Sequence, residues 1–391
     1  MRFALLGSDS TTIQFAEWLA EADEHEVAAI YQAGDFQAQL HSLHPNATAG
    51  QEWESLLLQS GFDAVVVSSQ PTGNLEVEQR ADQLRKLVQQ AVPTILIHPV
   101  CESIVAFELE MIRTDTKCPL VAYVPNTHHS AFQTYCEQLR NTDASIGTVE
   151  QIVVERAAHQ RDRESVLKHL AVDTLLITDL MGNAKSVSAS GVPDNEEAAL
   201  SNLSVAFVGS SRATARWSIG PAVDDAGVTV TAVGEKGKAS LFLAADLNSA
   251  SLTVNANRID LPDWKHSDSI EDVVHRLSQL IDGQDIDTDL AKSFHALEAV
   301  DAVLQSCRRR RTIELLVDQP TEEDTFKAMM AAGGCGMLLW TLILVILGPL
   351  LFLTGSAFLK AVWYVLLLGP MGVFLMLQLL RFVFDSKPQA K

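Results

Sequence analysis

A chain of 391 residues, 47% hydrophobic and 20% charged, is long enough for two ordinary domains plus further segments and can bury sizeable cores. Its 49 acidic against 29 basic residues give a formal charge of -20, which would repel a phosphate backbone and argues against nucleic acid as the main partner. Five cysteines without CxxC spacing fit buried thiols in a reducing compartment better than a disulfide framework or a zinc site, and no metal site is expected.

The apolar run Phe3 to Leu6 meets Gly7, passes through the polar turn Ser8-Asp9-Ser10-Thr11-Thr12, and continues at helical spacing through Ile13, Phe15, Ala16, Trp18 and Leu19. Strand, tight turn and helix follow. A helix N-terminus at the carboxyl edge of a parallel sheet presents unpaired N–H groups and the positive end of a dipole, so this turn is the expected dinucleotide site. Backbone groups at Gly7, Ser8, Asp9 and Ser10 would receive the pyrophosphate. Of the Gly-x-Gly-x-x-Gly fingerprint only Gly7 is present, with Asp9 and Thr12 at the other positions. A carboxylate at the second position repels phosphate, and its Cβ narrows the approach.

Glu26 to Tyr31 predicts a second buried strand, at whose end an acidic residue would take the ribose hydroxyls. Gln32 stands there, with Asp35 three residues on. Helices are expected over Trp53–Leu58, Asn74–Gln90 and Glu102–Arg113, and strands over Asp63–Ser68, Pro93–Pro99 and Pro119–Val124, the last leading to Pro125-Asn126-Thr127-His128-His129. This alternation specifies a doubly wound α/β domain. The adjacent His128 and His129 point to opposite sides of an extended backbone, so they do not form a chelating pair.

After Ser145 the rhythm changes. Ile146–Arg156 reads as a long strand and Ser165–Met181 as a helix. Strand-like pieces then follow without intervening helices at Leu203–Val208, Ala213–Ser218, Val228–Val233, Ala239–Ala244 and Leu252–Val254. The pattern predicts an α+β domain with an open, mainly antiparallel sheet. Helices follow at Ile270–Ile281 and Leu290–Gln305, then Arg308 to Arg311, for which a solvated helix end is the commoner explanation than a nucleic-acid or lipid patch.

A polar tether, Asp318 to Asp324, precedes two uncharged runs, Met337–Leu353 and Ala361–Leu380, each close to the ~20 residues that cross a bilayer. Two transmembrane helices in contact with lipid are expected. The basic residues flanking the pair then place the large N-terminal part and both termini on the cytoplasmic side of the inner membrane.

The pieces FALLGSDS, DAVVVSSQPTGN, TILIHPVCES, IGTVEQIVV, AVDTLLITDLMGNAKSVSASG, VTAVGEKGKASL and SCRRRRTIEL resemble, in order and spacing, the Gfo/Idh/MocA family of sugar and polyol oxidoreductases. With the tether TFKAMMAAGGCG and the paired apolar runs, the chain looks like a membrane-anchored, planctomycete-type variant of that family. The resemblance covers roughly Met1 to Asp318 and implies a Rossmann-like domain over 1–144 and an α+β domain over 145–317; polarity and hydropathy add a tether over 318–333 and the transmembrane pair over 334–384. The resemblance also implies NAD or NADP as cofactor, a small sugar-like ligand, and a chain that can form homo-oligomers.

The family's chemistry uses a Glu-Lys-Pro turn after the fifth strand; here Ile97, His98 and Pro99 stand there, so His98 is either a candidate proton carrier in the lysine's place or a histidine that merely ends the strand. The family's acid/base His and following Asp fall on Val172 and Leu175. His169 and Asp173 are near but lie on other helical faces. Two functions stay open: a membrane-tethered NAD(P)-dependent oxidoreductase, or a catalytically silent relative that serves as a ligand-binding or docking module.

Overall fold

The opening apolar run becomes strand β1 (Arg2–Leu6), and the polar turn after it becomes the start of helix α1 (Ser10–Glu21). The chain continues through β2 (Glu26–Tyr31), α2 (Gln37–Leu43), β3 (Thr48–Gly50), β4 (Ala64–Val67), α3 (Asn74–Gln89), β5 (Thr94–Ile97), α4 (Ser103–Thr116) and β6 (Leu120–Tyr123). These six strands pair in the order β3-β2-β1-β4-β5-β6, every pair parallel. β4, β5 and β6 are buried along their whole lengths, as continuous apolar strands must be when both faces are covered. The computed structural model describes residues 1–315 apart from 23, 51, 58–60, 70, 72–73, 141–145, 192–198, 210–212 and 224, together with Leu344, Ile346 and Trp363.

Helices α5 (Pro125–His128) and α6 (Ser130–Arg140) lead to β7 (Val149–Ala158) and α7 (Arg163–Met181). Strands β8 (Ala184–Ser190), β9 (Ser204–Gly209), β10 (Thr214–Pro221), β11 (Gly227–Gly234), β12 (Gly237–Ala244), β13 (Ala250–Val254) and β14 (Asn257–Ile259) follow. Then come α8 (His266–Ile281), α9 (Leu290–Arg309) and β15 (Ile313–Glu314). The second sheet runs β14-β13-β12-β11-β7-β10-β9-β8-β15, and only β7 with β10 is parallel. The expected open, mainly antiparallel sheet is therefore present.

Three differences have physical causes. β7 starts at Val149 rather than Ile146 because Gly147 takes φ +77°, outside the strand region. Residues Trp53–Leu57 make a 3-10 turn rather than an α-helix. β8 is a strand of small polar residues in which only Ala184 and Val187 are buried, so it lacks the β-branched signature of its neighbours.

α8 follows the second sheet in sequence but packs on the first. Its Ile270, Val273, Val274 and Leu277 share a core with Phe3, Leu5, Phe15 and Val66, and Tyr123 and Ser269 join by hydroxyls 2.8 Å apart. α9 contributes Leu290 and Leu297 to the core over the other face of the first sheet, and Ala299, Ala302 and Val303 to the core under the second. With each fully buried aliphatic or aromatic side chain worth about 1.5–3 kcal/mol, these shared helices hold Met1–Leu316 as one unit.

Cys101, Cys118 and Cys136 are buried free thiols and Cys307 is half-buried. In the second unit, Val317–Lys391, Leu344 and Ile346 are helical, and the Trp363 indole N–H donates to the Leu344 carbonyl at 3.2 Å.

The expected multi-pass membrane localisation needs correction: among the described residues no helix is long and apolar enough to cross a membrane. The two helices of that length, α7 and α9, each carry at least five charged side chains, among them Lys168, Asp173 and Asp179 on α7 and Lys292, Glu298 and Asp301 on α9. Apart from Leu344, Ile346 and Trp363, the runs Met337–Leu353 and Ala361–Leu380 lie outside the described residues.

Candidate functional site

Gly7 ends β1 with φ +81°, and a Cβ there would lie 2.2 Å from Ser68 Oγ and 2.5 Å from Arg80 Nη2. Both the conformation and the space demand glycine. Its N–H donates to the Tyr31 carbonyl at 2.9 Å, and the Ser8 hydroxyl donates to the Ala33 carbonyl at 2.6 Å, so the turn is tied to the end of β2.

Asp9 is the N-cap of α1. Its Oδ1 accepts the Thr12 N–H at 2.7 Å and the Thr12 hydroxyl at 2.9 Å, while Oδ2 accepts the Ser69 N–H at 2.9 Å. Burial opposes ionisation of Asp9, but the hydrogen bonds from Ser69 and Thr12 and the nearby Lys168 ammonium outweigh it and hold its pKa below the usual carboxylate value. The residue expected to obstruct phosphate is thus also the pin joining α1 to the end of β4.

Ser10 opens α1 and is exposed; its N–H and that of Thr11 are first-turn donors with no intrahelical partner. Gln32 takes φ +53°, and its Oε1 accepts from Gln83 Nε2 at 2.6 Å. The end of β2 therefore presents an amide pair where the fingerprint has a carboxylate. Asp35 sits exposed in a single 3-10 turn, Gly34–Phe36.

Two cations at this edge escaped the sequence reading. Arg80 of α3 is 4% exposed; its Nη2 donates to Ser68 Oγ at 3.0 Å and its Nη1 to the Leu6 carbonyl at 3.4 Å. Lys168 of α7 reaches across to donate to Ser69 Oγ at 2.7 Å. Each had a weak signal. Arg80 shares a helical stripe with Leu84, Leu87 and Val88, and Lys168 stands one turn before Ala171 on the face that meets the first sheet.

Beside them opens a cleft of about 670 Å³, walled by Pro71, Pro99 and Ser103 from the first sheet's loops, Glu164 and Lys168 from α7, and Asp301 from α9. The Ser103 hydroxyl donates to the Asp301 carboxylate. Pro99 lines this cleft, whereas His98 lies behind it, 4% exposed, with Nδ1 2.6 Å from Ser293 Oγ. Burial pushes the His98 pKa down to about 4, so the imidazole is neutral at pH 7.

Leu175, at the family's Asp position, packs with Val124 and Ala296. Asp173 is fully buried elsewhere: it receives a bidentate pair from Arg156 and the Trp217 indole N–H at 2.9 Å. Neither His128 nor His129 lines the cleft. His129 is buried, stacked on Trp264 at 4.1 Å, and His128 lies between Asp272 and Asp289 at 3.5 and 3.6 Å.

A parallel six-stranded sheet of this order, with a helix N-terminus at its β1/β4 switch point, followed by a mixed sheet that shares helices with it, has the fold of the Gfo/Idh/MocA-type NAD(P)-dependent oxidoreductases. A myo-inositol dehydrogenase from Corynebacterium glutamicum superposes with a TM-score of 0.63 at 15% identity, over 81% of this chain and 99% of that one. Biliverdin reductase from Synechocystis, in complex with biliverdin and NADP+, gives 0.61 at 16% identity over 78% and 99%. An oxidoreductase from Agrobacterium radiobacter, in complex with NAD+, L-tartaric acid and magnesium, gives 0.62 at 14% identity over 80% and 98%. No family model and no curated protein matches the sequence. The planctomycete-type and membrane-anchored features of the expected resemblance have no support among these neighbours.

The residues at the switch point fit a dinucleotide. Gly7 gives the tight turn, α1 presents free first-turn N–H groups, and Lys168 adds a cation, while Asp9 sets an electrostatic cost.

Proposed function

We propose that this chain is an NAD(P)-dependent oxidoreductase that takes a small sugar-like alcohol or its ketone in the cleft beside the switch point. The observation that carries the reading is the Lys168–Ser69 hydrogen bond of 2.7 Å, which sets an ammonium from α7 over the end of β4, next to the anion-binding turn. Bound NAD(P) would supply a hydride acceptor or donor at the nicotinamide. The chain's own residues bind and orient. The N–H groups of Ser10 and Thr11 receive phosphate oxygens. Lys168 spends one N–H on Ser69 and has two left for a phosphate or a substrate hydroxyl. Gln32, held by Gln83, offers an amide to the ribose, and Asp35 lies beyond it at the rim. His98, buried behind the cleft with Nδ1 against Ser293 Oγ, is a neutral imidazole that ties the end of β5 to α9 and does not reach the substrate.

Lys168→Met is expected to weaken NADH or NADPH binding roughly tenfold in calorimetric titration, the effect of one charge-assisted hydrogen bond. Unchanged affinity would remove the lysine from the site.

Asp9 gives a sharper expectation. A carboxylate ~4 Å from a phosphate oxygen costs about 1 kcal/mol in water-like surroundings and about 4 kcal/mol at a half-buried site. Asp9→Asn removes that charge and keeps an N-cap side chain, so NAD(P)H binding should tighten by roughly fivefold or more, with the gain shrinking at high salt. Asp9→Gly should tighten it further, since the side chain goes as well. Weaker binding by both variants would mean that the carboxylate itself contacts the ligand.

One observation favours a second reading, a catalytically silent relative that uses the fold to bind a ligand or a protein: Asp9 already takes the Thr12 and Ser69 N–H groups that a phosphate would use. No NAD(P)H binding by the unmodified chain, Asp9→Asn or Asp9→Gly would select that reading.

A further inference from the structure

A second pocket, of about 360 Å³, lies between α3 and α4. It adjoins the cleft, because Val77, Cys101 and Glu102 belong to both walls. Two independent features meet there. The first is the N-terminus of α4, a helix of 14 residues whose N-cap, Glu102, makes no side-chain capping bond and whose first turn carries no acidic residue. Its first N–H groups point out of the helix unpaired, at the positive end of its dipole.

The second is Arg80, which forms part of the pocket wall while 4% exposed and has a buried Nε with no hydrogen-bond partner. The partners of its other nitrogens are a hydroxyl and a carbonyl, both neutral, and no ion pair joins it to a carboxylate among the described residues. Burial lowers its pKa to about 10, which still leaves it charged at neutral pH. The Asp9 carboxylate favours its charge only through space, without a direct ion pair, so the buried cation is incompletely compensated and an anion entering beside it relieves the remaining cost. Arg85 adds a third element. It lines the same pocket and gives Nε and Nη2 to Glu108, leaving further N–H donors. The acidic residues on the wall, Glu78 and Glu102, are both exposed and therefore solvated.

We propose that the pocket between α3 and α4 is an anion site, formed by Arg80, Arg85 and the N-terminus of α4, which holds the phosphate or carboxylate of a ligand whose hydroxylated part lies in the adjoining cleft. The placement of that hydroxylated part rests on the oxidoreductase reading above; the anion site itself does not. The ligand class is then a sugar phosphate or a sugar acid rather than a neutral polyol.

The test is calorimetric titration of the full chain at fixed ionic strength with inorganic phosphate, glucose 6-phosphate, glucuronate and glucose, with NADPH titrated in parallel. Phosphate should bind, and the better of the two charged sugars should bind at least about tenfold more tightly than glucose, which also tells phosphate from carboxylate. Arg85→Gln should weaken the charged ligands roughly tenfold and leave NADPH unchanged. Arg80→Met should abolish phosphate binding, with an unchanged far-ultraviolet circular dichroism spectrum showing that the chain still folds. Glucose binding as tightly as its charged analogues, or Arg85→Gln leaving them unchanged, would overturn the proposal. Phosphate displaced by NADPH and indifferent to Arg85→Gln would assign the anion to the α1 turn and overturn it too. Arg85-dependent phosphate binding in a chain that binds no NADPH would leave the anion site standing and sink the cofactor reading.

Discussion

Asp173→Ala is expected to cost about 3–5 kcal/mol of stability, because it strands a buried guanidinium. Asp173 is completely buried in the middle of α7, and Arg156 of β7, its bidentate partner, is only 5% exposed. The same carboxylate accepts the Trp217 indole N–H from β10, so a single residue satisfies donors on two neighbouring strands and fixes α7 to the second sheet. Removing it leaves the Arg156 charge and the indole N–H without acceptors in an environment that cannot solvate them. Asp173→Asn keeps an acceptor oxygen and should lose roughly half as much. Arg156→Met combined with Asp173→Leu removes both charges and should be more stable than Asp173→Ala alone, a non-additivity that a purely steric role would not give. Urea unfolding of the four proteins measures this. A loss below about 1 kcal/mol for Asp173→Ala would show that Arg156 finds another partner or water.

The fold was legible to the extent that local pattern determines it. Short apolar runs ending at Gly7, Ser68 and Pro99 mark buried strands of an α/β sheet, whereas the order β3-β2-β1-β4-β5-β6 is not carried by local pattern, because the right-handed crossover rule sets the hand of each connection and not the order. What chain order could not show is which sheet a late helix serves. α8 comes after eight strands of the second sheet, yet its apolar face fits the first, and amphipathic spacing marks a face without naming its partner. The site was legible along the backbone and illegible across it. Gly7 and Gln32 stand where the strand ends require them. Lys168 and Arg80 reach that edge through long side chains from helices far away in sequence, and reach depends on rotamer and packing, which leave little trace in periodicity. Asp9 carried two signals at once. Its place in the glycine fingerprint suggested only obstruction, although an Asp just before an apolar-periodic run is equally a helix-cap signature, and that is the role it fills. The helical face of Asp173 sets it apart from the family's acid/base positions, but Arg156 and Trp217, its partners, lie on two different strands, which helical spacing does not reveal.

Stability should fall as pH drops from about 6.5 to about 4, and His98 should account for about 3 kcal/mol of that fall. Its imidazole is buried against Ser293 of α9 and stays neutral in the folded chain down to about pH 4, whereas in the unfolded chain it protonates near 6.5. The folded pKa is therefore depressed. Between the two values the unfolded state binds the extra proton, so the stabilising contribution is present in full above 6.5 and is lost as pH falls toward the folded value. About 2 kcal/mol should be gone by pH 5. His169, also lowered to about 4 by burial and by the nearby Arg156, adds in the same direction. Carboxylates with depressed pKa values, Asp9 among them, lose their contribution at lower pH still, so the comparison has to be made against a variant rather than read from the wild-type curve. His98→Gln keeps an amide to meet the Ser293 hydroxyl and cannot titrate. Urea unfolding at pH 7, 6, 5 and 4 should show the variant with a shallower slope, the two curves converging as pH falls. Parallel curves would mean that His98 protonates equally well in the folded chain. A proton carrier open to the cleft would behave in that way, and an imidazole buried against Ser293 would not.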